Sequence, residues 1–418
     1  MVLILLTAMC PAWALESLDA LPDALAHGSP QLDVRLRYEN VRQGSIPEHA
    51  QATTVRARLG YLTHAWNGFS MMLEYQGTTA IGDDQFNSTL NGRTQYPVVA
   101  DPSVSEVDQF WIAYAGLPKT VIRYGRQRLV YDDARFVGDV GFRQNLQTYD
   151  GLTVTGAWLP GLQVDYALLS NVDSFRFFPI AGVNTKNIDL HASQLFHLSY
   201  AWAPWLKTTG YLYLLNFAYD APLPPAPGAQ FNDPRRDTAT YGGFLAGSHA
   251  LGPLALGYHL EFARQRPYAS SPAEVHADYY RAELTASVWR IQGLLGYEQL
   301  GGDGHYAFQT PLATLHAFQG WADQFLVTPA NGIEDFYVSL GGRWARMDAL
   351  LTWHDFNPQH VPAVHYGSEI DGQVQRPIGR RFVAGITYAH YYADHFPATT
   401  TGTIFGSTKL WAWLQFKI

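Results

Sequence analysis

From Gln31 onward the chain keeps returning to one short pattern, in which apolar and polar residues alternate with a period of two. LDVRLRYE sets Leu32, Val34, Leu36 and Tyr38 on one face and Asp33, Arg35, Arg37 and Glu39 on the other. TVRARLGY sets Val55, Ala57, Leu59 and Tyr61 against Arg56, Arg58 and Gly60. LALGYHLEF and YYRAELTASV do the same, the second opposing Tyr280, Ala282 and Leu284 to Arg281, Glu283 and Thr285. Such alternation belongs to strands with one apolar and one polar face. The connections alternate as well. Medium or long loops are expected at 43–51, 79–105, 131–148, 172–188, 220–237, 267–276, 303–332, 357–365 and 393–404. Tight turns rich in Pro and Gly fall between them, as at Trp66-Asn67-Gly68 and Leu251-Gly252-Pro253. The segments count to about 18 strands. An even number with short turns at one end and long loops at the other describes a single-chain transmembrane antiparallel β-barrel of the bacterial outer membrane, all-β in class. The terminal strand STKLWAWLQFKI must then pair with the first and remove both edges.

Composition agrees. Charged residues are 15% and aromatics 14% of 418 residues, and no apolar run is long enough for a transmembrane helix. At the N-terminus, Val2 to Ala8 form a short apolar run and Ala12-Trp13-Ala14 an A-x-A cleavage site, so residues 1–14 read as a signal peptide lacking a basic n-region. The barrel is expected over 31–418. Cys10, the single cysteine, lies in the signal segment, which excludes disulfides and thiol chemistry from the mature chain. A net charge of −8 without basic runs excludes nucleic acid as a partner. No G-x-S-x-G, H-E-x-x-H or P-loop is present, so no enzyme, cofactor or metal is expected. The pairs Asp83-Asp84 and Asp132-Asp133 read as solvated loop acids.

The segment RFVGDVGFRQNLQTYDG, from Arg135, is too polar for a core and too aromatic for a flexible linker. It is expected to be an ordered loop folding into the pore mouth, with Arg135, Asp139, Arg143, Gln144, Asn145 and Gln147 as its polar groups. A second constriction loop is expected in LHAFQGWADQFLVTPANGIED, through Trp321, Asp323 and Gln324. Arginine dominates the cations: of 28 Lys and Arg, five are Lys. Arg35, Arg37, Arg56, Arg58, Arg123 and Arg281 lie on polar strand faces, which in a barrel point to the lumen. Arginine keeps its charge and grips carboxylates with a planar fork. The alternative for each is to brace the wall by pairing with Asp33, Glu39, Glu74, Glu106, Asp108, Glu283, Asp335, Glu369 or Asp371. An interfacial girdle is expected from Tyr38, Tyr61, Tyr75, Tyr114 and Tyr124, whereas some of Trp321, Trp353, Trp411 and Trp413 are expected in the lumen.

GRQRLVYDDARFVGDVGFRQNLQTYDG (125–151), LHAFQGWADQFLVTPANGIEDFYVSLGGRW (315–344) and the tail from YGSEIDGQVQ to KLWAWLQF resemble the alginate export porin family. The resemblance implies a wide 18-stranded barrel, an arginine-rich conduit narrowed by inward loops, and a periplasmic scaffold partner. It adds Arg126, Arg128 and Arg143 as conduit residues. The expected function is passage of an anionic, alginate-like polysaccharide. The alternative is a diffusion porin for organic anions or sugars, and an outer-membrane lipid hydrolase is the remaining possibility.

Overall fold

The computed structural model describes residues 20–174, 187–218, 237–271, 275–361, 364–394 and 405–418. The signal-peptide reading of 1–14, with Cys10, lies outside the described residues, as does most of the expected loops 172–188, 220–237 and 393–404. A six-residue helix, α1 (Leu21–Ala26), precedes the first strand. Eighteen antiparallel strands follow: β1 (Ser29–Gln43), β2 (Ile46–Leu62), β3 (Phe69–Ala80), β4 (Val104–Leu117), β5 (Thr120–Gln127), β6 (Thr148–Gly156), β7 (Leu162–Asp173), β8 (Asn187–Ala203), β9 (Leu206–Leu215), β10 (Thr238–Leu251), β11 (Leu254–Pro267), β12 (Ala277–Val288), β13 (Ile291–Leu300), β14 (Ile333–Trp344), β15 (Met347–Asn357), β16 (Gly367–Ile378), β17 (Phe382–Ala393) and β18 (Ser407–Lys417). Each pairs with its sequence neighbours, and β1 pairs with β18 in the register Leu36↔Leu414 and Arg37↔Trp413. The barrel is closed, so no strand edge is left to template aggregation.

The pleat sorts the two faces as the alternation requires. Arg35, Arg37 and Glu39 are buried inside, while Leu36, Leu59, Leu284, Leu340 and Ile386 stand bare on the outside. A continuous apolar exterior has no place in water and matches hydrocarbon. This is an outer-membrane β-barrel. Its aromatic girdle differs from expectation at the short-turn end. There the exposed rings are Trp158, Trp202, Trp205, Trp289 and Trp344, the last two 87% and 82% exposed. Indole combines an apolar body with one N–H, which suits the headgroup level. Of the five tyrosines, Tyr75 and Tyr124 are exposed, whereas the Tyr61 hydroxyl accepts from Gly28 N–H and donates to Leu25 O, tying down the N-terminal segment. Trp353 also points outward, while Trp411 is fully buried inside.

One connection is shorter than expected. In place of a loop over 43–51, β1 and β2 turn through Gly44 and Ser45. Asn40 pairs with Gln51, Val41 with Ala50 and, past an irregularity, Gln43 with Ile46, so the polar run Glu48-His49 lies within the strand β2. Polarity alone does not end a strand that still has a partner for its backbone. Inside this extension Val41, Ala50 and Ala52 pack on Phe86 and Val99 of the β3–β4 loop.

Candidate functional site: a lumen crossed by two loops

Two long loops fold into the barrel and meet there: the β5–β6 loop (128–147) and the β13–β14 loop (301–332). They touch backbone to backbone. Gly138 N–H donates to Leu312 O at 2.8 Å and Thr314 N–H to Ala134 O at 3.0 Å. At this crossing a Cβ on Gly138 would sit 2.7 Å from the Ala134 Cβ and 2.9 Å from the Thr314 nitrogen, so only glycine fits. The Tyr149 hydroxyl and the Gln147 amide hold the carbonyls of Gly138 and Leu312 from below. On one side Phe136 fills a pocket of Tyr211, Tyr279 and Phe308 rings at 5.2–5.9 Å. The lumen therefore has an apolar core of its own beneath the loops.

The wall of β1 and β2 grips the tip of the β5–β6 loop by its carbonyls. Arg35 Nε donates to Gln144 Oε1 at 2.8 Å and Nη1 to Gly141 O at 3.2 Å, with a further bond from Nη2 to Arg143 O. Arg37 Nη1 donates to Phe142 O at 2.7 Å. Arg58 Nη2 donates to Gln144 O at 3.0 Å and Nε to Gln76 Oε1 at 2.6 Å. Asp101, reaching in from the β3–β4 loop, takes Arg37 and the Gln144 N–H. Burial would raise its carboxyl, but Arg37, Arg143 and the Gln144 N–H outweigh burial and hold it below its ordinary value. Asn145 is buried and bridges Gln76 Nε2 and Pro102 O, each at 3.0 Å. Arg143 pairs with Glu39 of the same wall at 3.1 Å and with Asp323 of the other loop at 3.0 Å.

The β13–β14 loop is anchored with the opposite polarity. Trp321 N–H donates to Asp371 Oδ2 at 3.1 Å and Ala322 N–H to Glu369 Oε1 at 2.6 Å. Gly320, with φ of +79°, lies so close that a Cβ would come 2.5 Å from the Glu369 carboxyl carbon. Asp323 is also met by Lys409 Nζ at 2.7 Å and by His316 Nδ1 at 2.8 Å. Burial would raise Asp323, but Lys409 leads the groups that drive it far below the ordinary carboxylate range. Burial outweighs the pull of Asp323 and holds the His316 ring below its ordinary value.

The remaining expected residues are likewise engaged. Arg56 pairs with Asp33. Arg126 takes Asp150 through Nε and Nη2 at 2.8 and 2.9 Å, and Asp173 at 2.7 Å. Arg128 pairs with Asp139. Arg135 is buried against Glu298, Thr310 and Gln319. Arg281 holds Asp133 and Glu283. Asp132 pairs with His197 and Lys207, so the Asp132-Asp133 pair is bound into the wall rather than solvated. Only Arg35 and Arg123, of the ten arginines expected in the conduit, have no carboxylate within 4 Å among the described residues. Arg123 lies over the Trp111 ring at 4.2 Å. Sequence reasoning missed Asp101, Glu298 and Lys409, because each acts through a distant partner (Arg37, Arg135 and Asp323), and His316, whose bond to Asp323 forms within one loop that shows no local pattern. Among the described residues no cluster of three metal-ligating side chains is present.

Closed 18-stranded topology, an apolar belt and a lumen narrowed by inward loops define the porin fold of the outer membrane. No protein-family model and no curated protein matches the chain. Solved structures do match in fold. OccAB2 of Acinetobacter baumannii superposes with a TM-score of 0.70 at 14% identity, over 94% of this chain and 99% of that one. OpdQ of Pseudomonas aeruginosa gives 0.68 at 12% identity, over 95% and 99%. OpdK of Pseudomonas aeruginosa, solved with vanillate, gives 0.66 at 11%, over 93% and 98%. The barrel implied by the resemblance to alginate export porins is present, while export of alginate finds no counterpart among these neighbours.

Proposed function

We propose that the chain is a non-enzymatic diffusion channel for small polar solutes, sugars or organic anions, across the outer membrane. One observation carries this reading. The arginines that would have formed a ladder for a polyanion are occupied by carboxylates and by the carbonyls of a loop that crosses the lumen. A polymer threading the barrel would have to displace both loops and leave buried charges unpaired, which is costly. A small solute needs only the space beside them. That a neighbour of the same fold was solved with vanillate, a small aromatic carboxylate, supports the size class. Polyuronate export is the second reading, favoured by the sheer number of lumenal arginines.

Single-channel conductance of refolded protein in a planar bilayer separates the two. The expected result is a stable ohmic pore that mannuronate oligomers do not block. Block by the oligomers that weakens in Arg56→Ala and Arg143→Ala would establish the polyuronate reading instead.

A further inference from the structure

Between the two inward loops and the wall strands β16 and β17 lies a cavity of about 280 Å³. Ligand pockets start at about 300 Å³, so this one has room for a single ring and little more. Phe142 and His316 stack at 3.5 Å between centroids with planes 18° apart. Trp321 lies beyond His316 at 6.3 Å and 24°, so the three ring planes run nearly parallel along the cavity wall. Across from them Gln373 Nε2 donates to Thr387 Oγ1 at 3.0 Å, which leaves the amide oxygen and a second N–H to serve a guest.

Charge separates the candidate guests. Among the described residues Asp139 is the one carboxylate lining the cavity, no Lys or Arg lines it, and Arg128 already holds Asp139. The cations nearby are already engaged: Arg143 and Lys409 point at Asp323, Arg37 at Asp101, and Arg35 gives its donors to Gln144 and to the Gly141 and Arg143 carbonyls. An anion entering here would lose its hydration and meet, among the described residues, only cations whose donors are committed to other groups, a cost left poorly compensated. An uncharged ring with hydroxyls would instead lay its C–H face on the aromatic surface and bond its hydroxyls to amide and hydroxyl groups.

We propose that this cavity is a subsite for one uncharged, hydroxyl-bearing ring of monosaccharide size. The proposal rests on the diffusion-channel reading and narrows its solute class.

The test is uptake of D-glucose and D-glucuronate into proteoliposomes. The two share a ring and differ by a carboxylate in place of a hydroxymethyl group. Glucose is expected to enter faster and with saturation. Trp321→Ala raises the half-saturating glucose concentration by about threefold to tenfold, the worth of one aromatic contact. Trp321→Phe restores most of it. Gln373→Leu, which touches no backbone contact of the loop, also weakens saturation, and the heat-dependent migration of the barrel in detergent gels reports folding of every variant. Glucuronate entering as fast as glucose, or glucose uptake that stays linear in the native protein, overturns the subsite. So does saturation unaltered in folded Trp321→Ala and Gln373→Leu. Potassium chloride conductance is read on the same preparations. A pore that conducts but ignores the ring overturns the subsite alone, whereas a preparation that does not conduct overturns the channel reading.

Discussion

The two loops that cross the lumen are held by opposite halves of the peptide unit. The β5–β6 loop offers its carbonyls at 141–144 to arginines of β1 and β2. The β13–β14 loop offers its N–H groups at Trp321 and Ala322 to the carboxylates of β16. Both arrangements solve one problem, since a loop inside a barrel carries backbone polar groups that water no longer serves. The consequence for function is shared. Charges that look like a solute track along a strand are spent on fixing the constriction, and the ion pairs Arg143–Asp323 and Arg143–Glu39 tie one loop both to the other and to the wall.

The largest test of this comparison is Arg37→Met. It removes the cation from Asp101 and one donor from the Phe142 carbonyl, leaving a buried carboxylate without its main partner. The expected cost is about 3–5 kcal/mol, read as a lower denaturation midpoint, with a higher conductance as the loop loosens. An unchanged midpoint and conductance would mean that the loop does not depend on the basic wall. Gly320→Ala probes the other anchor. Its left-handed backbone disfavours a side chain by about 1–2 kcal/mol, and the new Cβ collides with Glu369. Conductance should rise here too, by less than in Arg37→Met if the basic wall is the stronger anchor.

Acidification sharpens the contrast through Asp101 and Asp323. Both are depressed in the folded protein, so their stabilisation is complete above the unfolded carboxylate value of about 3.9 and is lost as pH falls through their lower folded values. The share of the anchoring that rests on these two carboxylates is expected to hold down to about pH 4 and to be lost only below about pH 3, read as a rise in conductance there. A rise already at pH 5 would place the controlling groups elsewhere. The smallest effect belongs to Arg343→Ala. Its bidentate pair with Asp348 sits at the exposed short-turn end, and neither the midpoint nor the conductance should move measurably.

Strand number, face and most turn positions were legible because a period of two recurs from Leu32 to Phe416 and is interrupted by alternating short turns and long loops that can be counted. Inward folding of RFVGDVGFRQN could be read from its mixture of arginine, glycine and aromatics. Arg143 and Asp323 could each be read as constriction residues, but not their pairing. They are 180 positions apart, and no local pattern encodes a contact made across a lumen. The tight turn at Gly44-Ser45 was hidden for a related reason. Glu48 and His49 look like loop residues until β1 is seen to pair with Ile46 and Ala50 on either side of them.

The chain's own alternation thus determined the barrel, its apolar exterior and the arginines' inward direction, because side-chain direction in a strand follows from parity alone. Tertiary structure decided what those arginines do. Whether a lumenal guanidinium meets a solute, a carboxylate or a loop carbonyl depends on which distant segments fill the lumen, and parity along one strand carries no information about that.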